Sequence, residues 1–162
     1  MVSPNLRFKE FIDDWNIDEI GNYVKIYDGT HQTPNYQKEG VKFVSVENLS
    51  NLFQTDKYIS IEDFRSEYKE KAPERNDILL SRIGDIGTPA IVDSDEPLAY
   101  YVTLALLKCN KEKLNSKYLY YAIQGKSFQK ELYKRTLHVA FPKKINLGEI
   151  GLCKFAFPSL EE

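Results

Sequence analysis

A chain of 162 residues, 42% hydrophobic and 28% charged, fits one domain able to bury roughly 70% of the surface its unfolded form exposes, which excludes wholesale disorder. Its two cysteines, Cys109 and Cys153, stand 44 positions apart without a CxxC spacing, which excludes a disulfide framework and a zinc signature and suits two small buried hydrophobes. The net charge of −2 argues at first against a nucleic-acid partner, but residues 125–144 hold six cations against Glu131 alone, a local +5 that leaves −7 for the remainder. Such a directional field is a footprint for a polyanion, although a solvated basic face would look the same on charge alone.

Arg7, Lys9 and Glu10 precede any apolar run, so no signal peptide is expected. The longest uncharged apolar segment, Pro97 to Leu107, has 11 residues and is too short to span a bilayer. The expectation is a cytoplasmic protein without membrane contact.

In chain order, residues 3–15 hold no sustained period and read as an extended arm with Trp15 packed on the domain. Ile17 to Ile20 reads as one helical turn, and Tyr23 to Tyr27 as a strand ended by the turn-forming pair Asp28-Gly29. Thr30-His31-Gln32-Thr33-Pro34 is a polar loop stiffened at its exit. Val41 to Val46 is a strand, and Asn48 to Asp56 a polar, freely variable connection. Ser60 caps a helix from Ile61 to about Lys69, with Asp63 three positions on and acidic residues in the first turn.

Ile78 to Ile83 and Ala90 to Val92 are β-rich runs around Gly84-Asp85-Ile86-Gly87 and Pro89, which predicts a β-hairpin. Arg82 ends the first run. A cation there is either a ligand contact or a structural partner of a neighbouring carboxylate or carbonyl. Asp93 to Glu96 is an acidic turn closed by Pro97, and Leu98 to Leu107 is an almost continuous apolar run that predicts one buried strand.

Asn115 or Ser116 caps a helix in which Tyr118, Leu119, Ala122 and Ile123 recur at helical spacing, ended by Gly125. A second helix from Ser127 to Lys134 puts Phe128 and Leu132 on its inner face, and the pair forms an α-hairpin. Lys126, Lys130 and Lys134 then share one face, making the basic tract a stripe. Arg135 to Lys144 is a loop containing His138, and Ile150 to Phe157 a last strand. No repeat or internal domain boundary is visible. The fold class expected is α+β, an irregular twisted, mainly antiparallel β-portion followed by a C-terminal α-hairpin, in a single domain over 1–162.

Catalytic chemistry has few parts here. Ser81 and Ser127 lack an elbow-type glycine pattern, the two histidines lie 107 positions apart, and the 84–87 turn has too few glycines and no following Lys-Ser/Thr to cradle phosphate. His31 has no ligand partner at i+3 to i+5, which leaves a structural loop histidine or a nucleic-acid contact. Asp93, Asp95 and Glu96 are explained by a charged turn. No Asn/Asp-Pro-Pro-Tyr/Phe methyltransferase motif occurs. The sequence reads as a binder with no metal, cofactor or catalytic residues.

Pro4-Asn5-Leu6-Arg7-Phe8-Lys9-Glu10-Phe11 with Trp15, then Asp28-Gly29-Thr30-His31-Gln32-Thr33-Pro34, the hairpin, and Phe155-Ala156-Phe157-Pro158-Ser159-Leu160-Glu161-Glu162 together resemble the specificity subunit of type I restriction-modification systems, over nearly the full chain. The resemblance implies a target-recognition domain that reads one half of a bipartite double-stranded DNA site, while methyltransferase and restriction subunits do the chemistry. It also implies a second such domain and long spacer helices in a full subunit. A chain stopping at Glu162 is then an N-terminal recognition domain alone, a truncated chain or a natural half-subunit.

On that basis Lys126, Lys130, Lys134, Arg135, Lys143 and Lys144 are expected to engage phosphates and set orientation. Thr30, His31, Gln32 and Thr33 are candidates for reading base edges. A loop shared by family members that read different sequences is a poor base reader, however, and is assigned to backbone contact or scaffold support. The connection at 48–56 and the loop at 135–144, with His138, are expected to carry more of the discrimination. Arg82 stays a DNA-contact candidate beside its structural alternative. Two other classes fit less well: a carbohydrate or peptide-binding module, suggested by the 11 tyrosines, and an interaction domain for the methyltransferase subunit that does not touch DNA.

Overall fold

The computed structural model describes Pro4 and residues 6–162. Its strands in chain order are β1 (Asn16–Glu19), β2 (Val24–Asp28), β3 (Val41–Val44), β4 (Tyr58–Ile59), β5 (Ile78–Ser81), β6 (Pro89–Ile91), β7 (Leu98–Tyr100), β8 (Leu104–Cys109) and β9 (Lys154–Phe157). The helices are α1 (Ile61–Glu67), α2 (Ser116–Gln124), α3 (Lys126–Arg135) and α4 (Leu147–Gly151). The strands form three sheets, in the orders β2-β8-β5-β6, β4-β3-β7 and β1-β9.

The four-stranded sheet is the centre, because alternate residues of its inner strands enter different cores. Ile78 and Leu80 of β5, with Ala105 and Leu107 of β8, face a core closed by Leu119, Ile123, Phe128, Leu132, Ile150 and Phe155 from the C-terminal elements. Leu79, Leu104 and Leu106 point the other way, into a core shared with Phe43, Val44, Ile59, Tyr68, Ala99 and Tyr100. The period of two along a strand does this directly, and a strand covered on both faces reads as a continuous apolar run.

That same run conceals a break. The single strand expected from Leu98 to Leu107 is two strands: β7 pairs parallel with β3, while β8 lies antiparallel between β2 and β5. The chain turns at Tyr101, where Leu104 N–H bonds Tyr101 O at 2.9 Å, and its remaining backbone groups find partners in other segments. Tyr101 N–H donates to Val44 O, Val102 N–H to Thr30 O, and Arg82 N–H to Thr103 O. Neither glycine nor proline marks this turn, because tertiary hydrogen bonds hold it.

Three other expectations are corrected. Of the helical turn expected at Ile17 to Ile20, Ile17 to Glu19 lie instead in strand β1, which pairs with β9 across most of the chain, Asn16 opposite Phe157, and one 3-10 turn follows at Ile20–Asn22. The last strand begins at Lys154, because residues 147–151 form helix α4 before it. The 48–56 connection is not a free loop: Leu52 and Thr55 are buried, and the Thr55 hydroxyl donates to Phe43 O at 3.0 Å. The Ser60 cap of α1 accepts from Asp63 N–H as expected, Trp15 packs edge-on against Tyr118, and the 78–92 hairpin and the α2–α3 pair both form. Among the described residues no helix is long and apolar enough to cross a membrane.

Candidate nucleic-acid interface

Strand direction decides which loops meet. In the four-stranded sheet Asp28 is opposite Ala105, Ser81 opposite Leu104, and Leu80 opposite Pro89. The ends of β2 and β5 and the starts of β6 and β8 are therefore at one edge, and the loops 29–34, 82–88 and 101–103 emerge there together. A fourth loop joins them through the backbone. Gly84 N–H donates to Lys143 O at 2.9 Å, and Ile145 N–H to Arg82 O at 3.0 Å. Residues as far apart in the chain as Gly29 and Ile145 thus share one end of the sheet.

Each loop is held by a side chain from the core. The buried Tyr68 hydroxyl donates to Tyr100 O at 2.6 Å and accepts from Thr30 N–H at 3.5 Å, and burial raises its pKa above the ordinary phenol value. Ser81 Oγ accepts from Thr88 N–H and donates to the Asp85 carboxylate, both at 2.8 Å, which closes the hairpin turn from inside. Gln129 of α3 donates its amide to Gly87 O and Ile123 O, again at 2.8 Å. That bond fixes the basic helix against the hairpin. Gly87 lies at φ +92, a conformation that favours glycine, and a Cβ there would meet Leu132 Cδ1 at 2.8 Å and Gln129 Oε1 at 2.9 Å, so those side-chain ends would have to shift.

Arg82 is buried under the same loops. Its Nε donates to Ile145 O at 3.2 Å and one terminal nitrogen to Val102 O at 3.0 Å, and desolvation lowers its pKa from the usual guanidinium value while the field of Asp28 opposes this. Of the two sequence alternatives, this geometry is that of a carbonyl partner joining loops 101–103 and 137–145. His31 is exposed and its Nε2 lies 2.6 Å from the Asp28 carboxylate. The Thr30 hydroxyl donates to Gln32 O and accepts from Gln32 N–H. Gln32 and Thr33 are exposed at the loop tip.

The six cations divide into two groups. Lys134 bonds Glu131 at 3.0 Å and Arg135 bonds Glu149 at 3.1 Å, with Glu131 3.8 Å away; the Lys134 bond is the main cause holding the Glu131 carboxyl below its ordinary pKa. Lys126, Lys130, Lys143 and Lys144 have no acidic partner among the described residues and are exposed. His138 lies tilted against Tyr133 with ring centroids 4.3 Å apart and bonds Tyr133 O at 2.8 Å. Beyond these residues, sequence reasoning missed the exposed tip Val139–Phe141, whose only signal was an apolar triplet inside a basic tract. The tyrosines that suggested a sugar or peptide site are largely structural: Tyr68 and Tyr100 are buried, and Tyr23 and Tyr118 pack against the core.

The model of the type I restriction modification DNA specificity domain matches residues 12–162. The chain belongs to this family. It is similar to the type I restriction enzyme MjaVIII specificity subunit of Methanocaldococcus jannaschii, 24% identical over 94% of the chain and 38% of that protein. Among solved structures, the HsdS subunit from Thermoanaerobacter tengcongensis has a TM-score of 0.68 at 18% identity, covering 98% of this chain and 36% of that one. The S subunit of the type I restriction-modification system from M. genitalium has a TM-score of 0.64 at 15% identity, covering 97% and 37%. The specificity-domain fold described above is therefore that of HsdS structures, and the chain spans a little over a third of the length of these relatives.

Proposed function

We propose that residues 1–162 form a single target-recognition domain that reads one half of a bipartite double-stranded DNA site and directs the methyltransferase and restriction subunits of a type I restriction-modification system to it, in the cytoplasm. The observation that carries this reading is the convergence of four loops at one end of the central sheet, beside a helix whose exposed Lys126 and Lys130 lack acidic partners among the described residues. Lys126, Lys130, Lys143 and Lys144 act on phosphates. Lys134 and Arg135 reach them only by exchanging a carboxylate for a phosphate, and so contribute less. His31, Gln32 and Thr33 contact the DNA backbone from the 29–34 loop, His138 reads base edges from the 135–144 loop, and Thr30 and Arg82 hold the loops in place.

Salt dependence tests this. Measured by anisotropy on a duplex selected from a random pool, wild-type affinity should fall steeply with salt, and the K126A/K130A/K143A/K144A variant should lose about 0.9 of slope for each phosphate contact removed. An unchanged slope removes the phosphate role. Lys134→Ala with Arg135→Ala should flatten the slope less than any two of the four unpaired lysines do.

A further inference from the structure

The segment 137–144 leaves the end of α3, turns, and returns along itself. Leu137 N–H bonds Lys144 O at 2.7 Å and Ala140 N–H bonds Leu137 O at 3.3 Å, which makes a small hairpin. Its base is joined to the central hairpin through Gly84 N–H to Lys143 O and the Ile83–Lys144 bridge. His138 is clamped on Tyr133 at the near side. Between these anchors Val139, 98% exposed, and Phe141, fully exposed, have no packing partner among the described residues. Two large apolar side chains held outward on a pinned turn forgo the burial that a loop of this length could have obtained by folding over.

Their surroundings indicate what covers them. Lys143 and Lys144 follow at once in the chain, and α3 carries Lys126, Lys130 and Lys134 at positions four apart, a row of about 12 Å at 1.5 Å per residue. An apolar tip that follows the lysine row of α3 in the chain and is itself followed by Lys143 and Lys144 fits a polyanion whose interior is apolar and whose charges run along an edge. Duplex DNA has that chemistry, with base pairs stacked behind two rows of phosphates, and minor-groove architectural proteins insert apolar wedges between base steps and kink the helix.

We propose that Phe141, supported by Val139, is a wedge that enters a base step of the bound duplex and bends it, adding shape readout to the contacts made by the other loops. This rests on the DNA reading above and goes beyond it in assigning an unstacking role to a residue that carries no charge and no hydrogen-bonding group.

The test uses the full chain bound to the methyltransferase subunit of its system, with a selected duplex labelled at both ends for energy transfer, and the variants Phe141→Ala, Phe141→Leu and Phe141→Trp. Because Phe141 touches nothing, all three should melt with the wild type. Phe141→Ala should weaken binding roughly 5- to 100-fold at every salt concentration with the slope unchanged, and abolish the bend; Phe141→Leu should keep most of it; Phe141→Trp should bind with its added indole emission quenched. The wedge is overturned, and the DNA reading kept, if the wild type binds with a steep salt slope while Phe141→Ala binds and bends as the wild type does. Both fail together if the wild type shows no salt-dependent affinity for any duplex. An indole at 141 that shifts on phosphatidylserine vesicles but is unquenched by duplex also overturns it, in favour of a lipid surface.

Discussion

Arg82 shows how far a single residue can be read. Its place at the end of an apolar run was visible in the sequence, and so was the choice it posed, but the carbonyls it bonds belong to residues 20 and 63 positions away. Local pattern carries no information about a carbonyl that far along the chain. The guanidinium is suited to this post, since its planar fork reaches two acceptors at once where an ammonium is a point charge. Replacing it with Met should therefore leave two carbonyls without their donor, at a cost of about 2–4 kcal/mol. Urea unfolding should show the loss as a lower midpoint, and Arg82→Lys should recover only part of it. At a temperature where the variant is folded, the salt slope of DNA binding should match the wild type. A slope lower by about one unit would instead make Arg82 a phosphate contact.

At the scale of elements, legibility followed the distance over which each element is specified. The α2–α3 pair, the Ser60 cap and the 78–92 hairpin are written in neighbouring residues and form where expected. Strand β1 is specified by β9, more than 130 residues on, and the break between β7 and β8 by backbone partners at Val44, Thr30 and Arg82. The loop cluster is of the second kind. Its components were named, but their meeting depends on strand order, which the sequence alone does not state. Gly29 shows what the assembly requires: a Cβ at this position would lie 2.1 Å from Tyr100 O and 2.5 Å from Tyr101 C. Both are backbone atoms where β7 passes into the β7–β8 turn, held by hydrogen bonds to Val44 and Thr30, so a shift there would disturb both sheets. Gly29→Ala should destabilise by about 3 kcal/mol or more. Gly84→Ala, where the added carbon meets nothing but φ is +79, should cost only about 1 kcal/mol. Denaturant midpoints of the two variants would compare directly, and equal losses would mean that the close approach at Gly29 is relieved by a shift of the turn.

Across the whole molecule, the loop end of the sheet and the chain's outer segments lie on opposite sides. Leaving β8 at its far end, the chain passes Lys113 to Asn115 into α2, and here Arg7, Trp15 and Glu162 come together. Arg7 holds the Glu162 carboxylate with two bonds of 2.6 and 2.7 Å, and the Trp15 indole N–H adds a third at 3.1 Å. The Arg7 hydrogen bond, more than any other cause, keeps the Glu162 carboxyl below its ordinary pKa. Because the folded value is the lower one, the stabilisation from this site is present above the unfolded carboxylate pKa, about 4.3, and is lost as pH falls through the folded value. The indole N–H resonance of Trp15, the single tryptophan, should therefore move in an acid transition centred below the ordinary carboxylate range. Glu162→Gln retains an oxygen acceptor but has no charge to lose, and should abolish that transition while leaving the salt slope of DNA binding unchanged, since the site stands at the far end from the lysines. A slope that changed with Glu162→Gln would show that the two ends are coupled through the central sheet, and the recognition surface would then have to include the segments that join at Glu162.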